Sequence, residues 1–382
     1  MNTINNKKIA VIGGGPGGLT LARLLQMNGA DVKVYERDAH KDARPKGATL
    51  DLHEESGLAA LDAAGLMEAF WANYRPGADA LRIADKHATL IFDDSDTPRQ
   101  ETMRPEIDRG PLQNILLSSL VERTVVWDSQ FLNMQQQGSG WDITFKNGDI
   151  AYADLVIAAD GANSKLRPYL TPIKPFYAGV TAIEGAVYNS EIVIPDMHKL
   201  LNGGKIFAFG DEKSLIVSSK GDGSLVFYPG FKCDENWVRA SGIDFTNKAQ
   251  VLEWFNAEYA GWDEIWLGLF ENASGPFFAR PQYCMPLDHT WEARPNLTIL
   301  GDAAHLMPPY AGEGVNMAML DALELSQALL NKDYPDTLAA IAAYEKQMRI
   351  RAAETADMTM QSTELLHSEE AIGFMMGVIG GV

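Results

Sequence analysis

Three carboxylates each stand directly after an apolar run that reads as a strand: Glu36 after "DVKVY", Asp160 after "LVIAA" and Asp302 after "LTILG". A carboxylate in that place can accept hydrogen bonds from the hydroxyls of a ribose or ribitol chain. Ahead of the first stands Gly13-Gly14-Gly15-Pro16-Gly17-Gly18, a GxGxxG that follows the apolar residues Ile9 to Ile12 and opens a helical pattern. Gly13 permits a tight turn, Gly15 lets a pyrophosphate approach the backbone, and Gly18 lets helix and strand pack closely. The helix N-terminus then turns its partial positive charge toward the phosphates. Glu36 lies 36 − 15 = 21 residues after Gly15, where a ribose-binding acid is expected. The fingerprint alone does not separate NAD from FAD.

Two further stretches narrow the choice. In "DLVIAADGANSKLR" a buried strand ends at Asp160-Gly161, with Ser164 and Arg167 following. In "LTILGDAAHLMPPYAGEGVNMAML" a strand ends at Gly301-Asp302 and feeds a loop rich in Pro and Gly. Pro308, Pro309, Gly312 and Gly314 would let that loop pass close to a flat ring. A helix starting near Gly314 would aim backbone N–H groups at the ring. Each stretch alone fits a structural turn, but the three in this order are hard to explain as scaffold.

The elements that must position these residues follow from the patterning. At 382 residues the chain exceeds one ordinary hydrophobic core, so roughly two domains are expected. The charge of 32 − 51 = −19 argues against nucleic acid or an anionic membrane as partner. Cys233 and Cys284 form no CxxC pattern, so neither a disulfide framework nor a metal site is expected, and both thiols read as buried. The run Ile9 to Ile12 is too short for a signal peptide. The apolar tail "AIGFMMGVIGG" falls short of the roughly 20 residues of a spanning helix, so no stable membrane insertion is expected. A cytoplasmic location and a monomer are the expectation.

Helical patterns run from about 53 to 72, 111 to 122, 248 to 259 and 335 to 368, and "FKNGDI" carries a hairpin turn at Asn147-Gly148. Residues 176 to 285 otherwise read as β. The expected fold is α/β: a GxGxxG dinucleotide-binding domain from residues 1–175 and 286–334, an inserted β-rich substrate domain at 176–285, and a C-terminal helix and tail at 335–382. His40, His53, His87, His198, His289, His305 and His367 are scattered, without an HExxH or a nucleophile elbow. His305, inside the third stretch, reads as loop structure, and no side-chain general base is identified.

The three stretches resemble those of the class A FAD-dependent monooxygenases, the aromatic hydroxylase family, over nearly the whole chain. "ARPKGATLDLH", "PEIDRGPLQNILLSSL" and "GDAAHLMPPYAGEGVN" resemble the tetracycline-inactivating flavin monooxygenases more specifically. The resemblance implies that Glu36 and Arg37 hold the adenosine part of FAD. It implies that Asp51, Arg109, Asp160 and Asp302 contact FAD, and that Pro309 and Gly312-Glu313-Gly314-Val315 line the isoalloxazine. Glu313 stands where the family commonly has Gln. Arg44 would meet NADPH. By resemblance, NADPH reduces FAD, O2 adds to give a C4a-hydroperoxide, and an oxygen atom passes to an electron-rich carbon of an aromatic or polycyclic enol or phenol.

The implied substrate pocket is lined by Glu184, Lys205, Phe207 and Tyr310, where tetracycline-inactivating relatives carry Gln, Arg, Met and Phe, with a His at the position of Val226. Lys cannot reproduce a planar bidentate Arg contact, and Val donates no side-chain hydrogen bond. Tetracycline itself is therefore expected to be a poor substrate. The alternatives are an NAD-dependent dehydrogenase, a flavin reductase or halogenase of similar fold, and a non-enzymatic flavin-binding sensor. The second and third stretches count against the first, and no WxWxIP stretch of the halogenase kind is present.

Overall fold

The computed structural model describes residues 3–43, 49–94 and 104–380. Four strands of alternating or continuous apolar sequence, Lys8–Ile12, Asp31–Tyr35, Leu155–Ala158 and Leu297–Ile299, lie parallel in one sheet. A short fifth strand, Val125–Val126, completes it beside Asp31–Tyr35. Leu155–Ala158 is buried along its whole length, as a central parallel strand covered on both faces must be. Because the strands run the same way, the residues that follow them all emerge at one edge: Gly13, Glu36, Asp160 and Asp302. Ligands of open parallel sheets bind at that edge.

Helix Pro16–Met27 starts with Pro in its first turn and ends before Gly29, whose φ of +78° supplies the left-handed turn. A three-stranded antiparallel layer, Phe131–Gln137, Gly140–Phe145 and Ile150–Ala153, contains the expected hairpin, with Gly148 at φ +95°. The helical pattern from 53 to 72 is realised in pieces. A π-helical turn, Glu54–Leu58, leads into Ala59–Ala63, and Gly65 at φ +70° separates that helix from Met67–Trp71.

The second sheet has seven strands in the order Phe278–Cys284, Phe176–Val187, Leu225–Lys232, Lys213–Ser219, Lys205–Gly210, Leu81–Asp85, Leu90–Asp93. Its last two strands come from outside residues 176–285, so the sheet is assembled from two separate parts of the chain. Its buried face carries Ile183, Ile206, Ala208, Leu215, Val217 and Phe227 against helices Lys248–Glu258 and Glu264–Glu271. The second of these helices lies in a segment that reads as β. Its apolar run "IWLGLF" fits either state, and Asp263, whose side chain accepts from the Ile265 N–H at 3.0 Å, starts it as a helix.

Helix Thr337–Leu365 is capped by Asp336, which accepts from the Ala339 N–H at 2.9 Å. The apolar tail forms helix Ala371–Gly380, whose Ala371 and Met375 pack with Ile83, Phe209 and Leu366. No helix among the described residues is long and apolar enough to cross a membrane. Cys284 is buried and Cys233 half-buried, both unbridged. The thiol of Cys233 meets the Tyr177 hydroxyl at 3.2 Å, in place of the full burial expected for it.

The long helix carries a buried acid into the core. Glu345 is fully buried and accepts from Thr298 Oγ1 and Trp291 Nε1, both at 2.8 Å. Burial pushes its carboxyl up to about 7, although these two bonds and Arg349 favour the charged form. A group raised in this way stabilises the fold below its ordinary value and loses that contribution as pH rises through about 7. Glu345→Gln can still donate to Thr298 and accept from Trp291. In urea melts its midpoint relative to wild type is expected to rise between about pH 5 and about pH 8. An equal deficit at both would remove the buried carboxylate as the cause.

Candidate cofactor and substrate site

The glycine loop separates into positions filled by protein and one that is open. Gly13 sits at φ +115°, and a Cβ there would meet Ala159 O at 2.2 Å. A Cβ at Gly18 would meet Gly13 O at 2.2 Å, and one at Gly17 would meet Ala318 O at 2.7 Å. At Gly15, in extended conformation just before the helix, a Cβ would meet no protein atom within 4 Å. Gly15 is thus a cradle bounded by a helix N-terminus, which suits a pyrophosphate. Glu36, buried, accepts from the Gly14 N–H at 2.6 Å and the Asp38 N–H at 3.0 Å, which fixes its carboxylate beside the loop. Arg37 is exposed on the same edge.

Two more acids complete that edge. Asp160 Oδ2 accepts from the Lys165 N–H at 2.7 Å, while Oδ1 is buried without a hydrogen-bond partner among the described residues. Burial raises its carboxyl, against the bonds from Ser164 and the backbone. Asp302 is likewise raised by burial, with His305, Arg109 and Arg167 opposing, and its carboxylate accepts no hydrogen bond among the described residues. An orphaned buried acceptor is costly unless a donor is supplied. The hydroxyls of a ribitol chain are donors of that kind.

Arg167 joins the second stretch to the third. Buried itself, it donates from Nε to Ala303 O at 2.7 Å, and from a terminal nitrogen to Asp302 O at 3.0 Å and Ala162 O at 3.1 Å. His305 Nε2 donates to Asp321 at 2.5 Å, and Asp321 also accepts from the Gly301 N–H at 2.8 Å and Arg351 at 2.7 Å. Burial alone would lower His305, but Asp321 beside it holds it above its ordinary value. The bond to Asp321 ties this ring to helix Gly314–Leu330.

The turn Pro309–Ala311 and Gly312, at φ +74°, lead through Glu313 to helix Gly314–Leu330, of which Val315 is the second residue. Asp51 Oδ1 would lie 3.3 Å from a Cβ at Gly312. Between Asp51 and Glu313 stands His53, buried, with Nε2 3.1 Å from Asp51 Oδ2 and Nδ1 3.5 Å from Glu313 Oε1. Burial alone would raise Asp51, but His53 and Lys205 hold it below its ordinary value. His53 reads as a scattered histidine in the sequence. Only the packing of the "LDLH" segment against Asn316, which accepts from the His53 N–H at 3.0 Å and donates to Asp51 O at 3.0 Å, brings it here. Arg44 lies outside the described residues.

The register of the second sheet settles which side chains share a face. Lys205 pairs with Ser218, Phe207 with Ile216, Ser218 with Val226, and Val226 with Ala186, two residues from Glu184. Glu184, Lys205 and Phe207 therefore lie on the face opposite the buried helices. Tyr310 comes to the same face, since a Cβ at Gly230 would be 2.9 Å from its hydroxyl, 2.6 Å from Ser214 Oγ and 2.7 Å from His367 Nε2. His367 Nδ1 donates to Thr363 O at 2.7 Å, so Nε2 accepts from Ser214 at 3.0 Å. Burial holds His367 down at about 4 and pushes the Tyr310 phenol up. Two of the expected pocket residues arrive already paired, Glu184 with Arg280 at 2.8 Å and Lys205 with Glu106. Neither the Ser214–His367 pair nor Glu106 is signalled by local sequence, because their partners lie far along the chain. No cluster of metal-ligating side chains occurs among the described residues.

A parallel sheet with a glycine cradle and three acids at one edge, joined to a second sheet whose free face mixes Lys205 and Glu184 with Phe207 and Tyr310, defines a dinucleotide-binding protein. The chain matches the FAD binding domain family over residues 6–200 and 291–359 and belongs to it. It is 28% identical to monooxygenase asqM of Emericella nidulans over 438 residues, covering 97% of this chain and 98% of that one. It is 27% identical to the FAD-dependent urate hydroxylase of Mycolicibacterium vanbaalenii over 383 residues, covering 95% and 89%. The crystal structure of tetracycline destructase Tet(55) superposes with a TM-score of 0.77 at 21% identity, over 98% of this chain and 95% of that one. The chain is an FAD-dependent monooxygenase.

The glycine geometry gives a direct test. Gly13→Ala is expected to lower the melting temperature, since a left-handed φ and a backbone clash cost about 1–3 kcal/mol. Gly15→Val is expected to leave the FAD-free protein's melting temperature unchanged and to weaken FAD binding at least about tenfold, read by flavin fluorescence. Unchanged FAD affinity in Gly15→Val would contradict the cradle.

Proposed function

We propose that the protein hydroxylates an aromatic or polycyclic enol or phenol, using NADPH and O2. The observation that carries this reading is the sheet register that puts Lys205, Phe207 and Glu184 on one face together with Tyr310 of the Pro309–Ala311 turn. Relatives named as monooxygenases and as an FAD-dependent urate hydroxylase support oxygen transfer to a ring or enol, and others are named as zeaxanthin epoxidases.

FAD, when bound, supplies the electron transfer and the oxygen chemistry. In this reading Gly13, Gly15 and Gly18 shape the turn that takes its phosphates. Glu36 and Arg37 hold the adenosine part, and Asp160, Arg109 and Asp302 hold the chain between phosphates and ring. Asp51 and the segment Pro309, Gly312, Glu313, Gly314 and Val315 face the ring. No second GxGxxG follows a strand, so NADPH is expected to bind transiently, with Arg44 contributing. Phe207 and Tyr310 offer apolar walls that orient a planar substrate and exclude water, and Lys205 offers a cation to an acidic oxygen.

A panel of phenols, enols, urate and tetracycline, assayed for NADPH consumption against product mass, tests the reading. A planar enol or phenol is expected to gain one oxygen atom with coupled NADPH use. Tetracycline is expected to react at least about tenfold less efficiently, because a site that has lost polar contacts loses that substrate. Efficient, coupled hydroxylation of tetracycline would overturn that restriction. NADPH oxidation without oxygen transfer to any member would favour a reductase.

A further inference from the structure

Glu106 lies at the seam between two structural units. It belongs to strand Glu106–Asp108, which pairs with Thr49–Asp51 so that Glu106 stands opposite Asp51. It is 2% exposed. Oε1 makes a close ion pair with Lys205 Nζ, and Oε2 is buried without a partner among the described residues. Lys205 keeps 21% of its side chain exposed, on the sheet face of Phe207. A ligand on that face touches Lys205, and Glu106 stands behind it.

A tie between the two units would be the plain structural role for this pair, but Arg75 already makes that tie. Its guanidinium donates to Ser219 O at 2.7 Å and Gly203 O at 3.2 Å on one side, and to Thr49 Oγ1 at 3.2 Å on the other. Asp108 meets Arg75 at 3.4 Å and accepts from the Gly221 N–H at 2.9 Å. With the seam closed by these groups, the half-satisfied Glu106 is an acceptor with spare capacity next to a half-buried ammonium.

We propose that Lys205 and Glu106 together accept the proton of the substrate's enol or phenol. The substrate oxygen docks on Lys205 Nζ. Nζ first passes a proton to Glu106 Oε1 and becomes a neutral amine; the substrate's O–H bond then breaks, its electron pair stays on oxygen, and the proton goes to the amine's lone pair. The products are a substrate anion held against an ammonium and a neutral carboxylic acid behind it, with no proton lost to solvent. An enolate or phenolate is the more electron-rich partner for oxygen transfer. Lys205 touches the substrate, while Glu106 acts through it as a positioning and proton-holding residue.

The surroundings support this role. Burial pushes the Glu106 carboxyl up to about 7, with Lys205 and Arg75 opposing the rise and Asp51 adding to it. His53 and Glu313 stand beyond Asp51, and Asp108 is two residues along the same strand. Above about 7 the carboxylate is charged and able to take a proton close to neutrality.

The proposal rests on the enol or phenol reading above, but the proton step can be read without turnover. The probe is 2-naphthol, a bicyclic phenol that is neutral in water near about pH 8 and absorbs at longer wavelength as its anion. Binding to the FAD-loaded protein is followed by absorbance and by calorimetry in two buffers of different ionisation enthalpy, which counts protons. Wild type is expected to hold naphtholate while releasing about zero protons. In Glu106→Gln any naphtholate bound is expected to be accompanied by release of about one proton, and Lys205→Met, which leaves Glu106 without its counter-ion, is expected to hold neutral naphthol. Neutral naphthol in wild type, release of about one proton there, failure to bind, or a Glu106→Gln variant indistinguishable from wild type overturns the proposal. Lack of an oxygenated product from 2-naphthol leaves this readout untouched and bears only on the activity proposed above.

Discussion

The site depends on one close contact between helices. Helix Pro16–Met27 and helix Gly314–Leu330 touch where a Cβ at Gly17 would lie 2.7 Å from Ala318 O and 2.9 Å from Leu300 Cδ1. Only a glycine lets the backbones come so near. Each helix begins at the site, one at the glycine cradle and the other behind the Pro309–Ala311 turn. The contact therefore fixes the distance between two positively polarised helix ends, each carrying about half an elementary charge. In the binding mode proposed above, a dinucleotide would span this pair, its phosphates at one end and its ring at the other.

Around this contact the loops are held by charges that are paired with protein groups. Arg167 binds three backbone carbonyls, and Asp321 binds a backbone N–H, the His305 ring and a guanidinium. Breaking such a buried pair by removing one partner typically costs about 3–5 kcal/mol. Asp302 and Asp160 are left with acceptor capacity at the same edge. Acids satisfied by protein hold the frame, and the acids left incomplete are those proposed above to take the cofactor's hydroxyls. The proposed substrate face is separate in origin, built by the register of the second sheet, with Tyr310 brought to it beside Gly230.

The parallel sheet and the residues at its edge were legible in the sequence because their signals are local. GxGxxG, Glu36 and the strand-ending acids Asp160 and Asp302 each declare themselves within a few residues, and parallel strands bring them to one edge. What was not legible is set by partners far away in the chain. His53 gains its place through Asn316, Glu106 through Lys205, and His367 through Ser214. Helix Glu264–Glu271 hid in an apolar run that a strand could equally use, and only its Asp263 cap marks it. The strands Leu81–Asp85 and Leu90–Asp93 joined a sheet formed mostly more than 80 residues later, beyond the reach of any local pattern.

The Gly17–Ala318 contact can be tested by placing a methyl group at it. In Gly17→Ala, FAD affinity measured by flavin fluorescence and the melting temperature of the FAD-free protein should fall together, because the same displacement loosens the core and separates the helix ends. A Gly17→Ala protein that melts as wild type does and binds FAD with unchanged affinity would contradict the account.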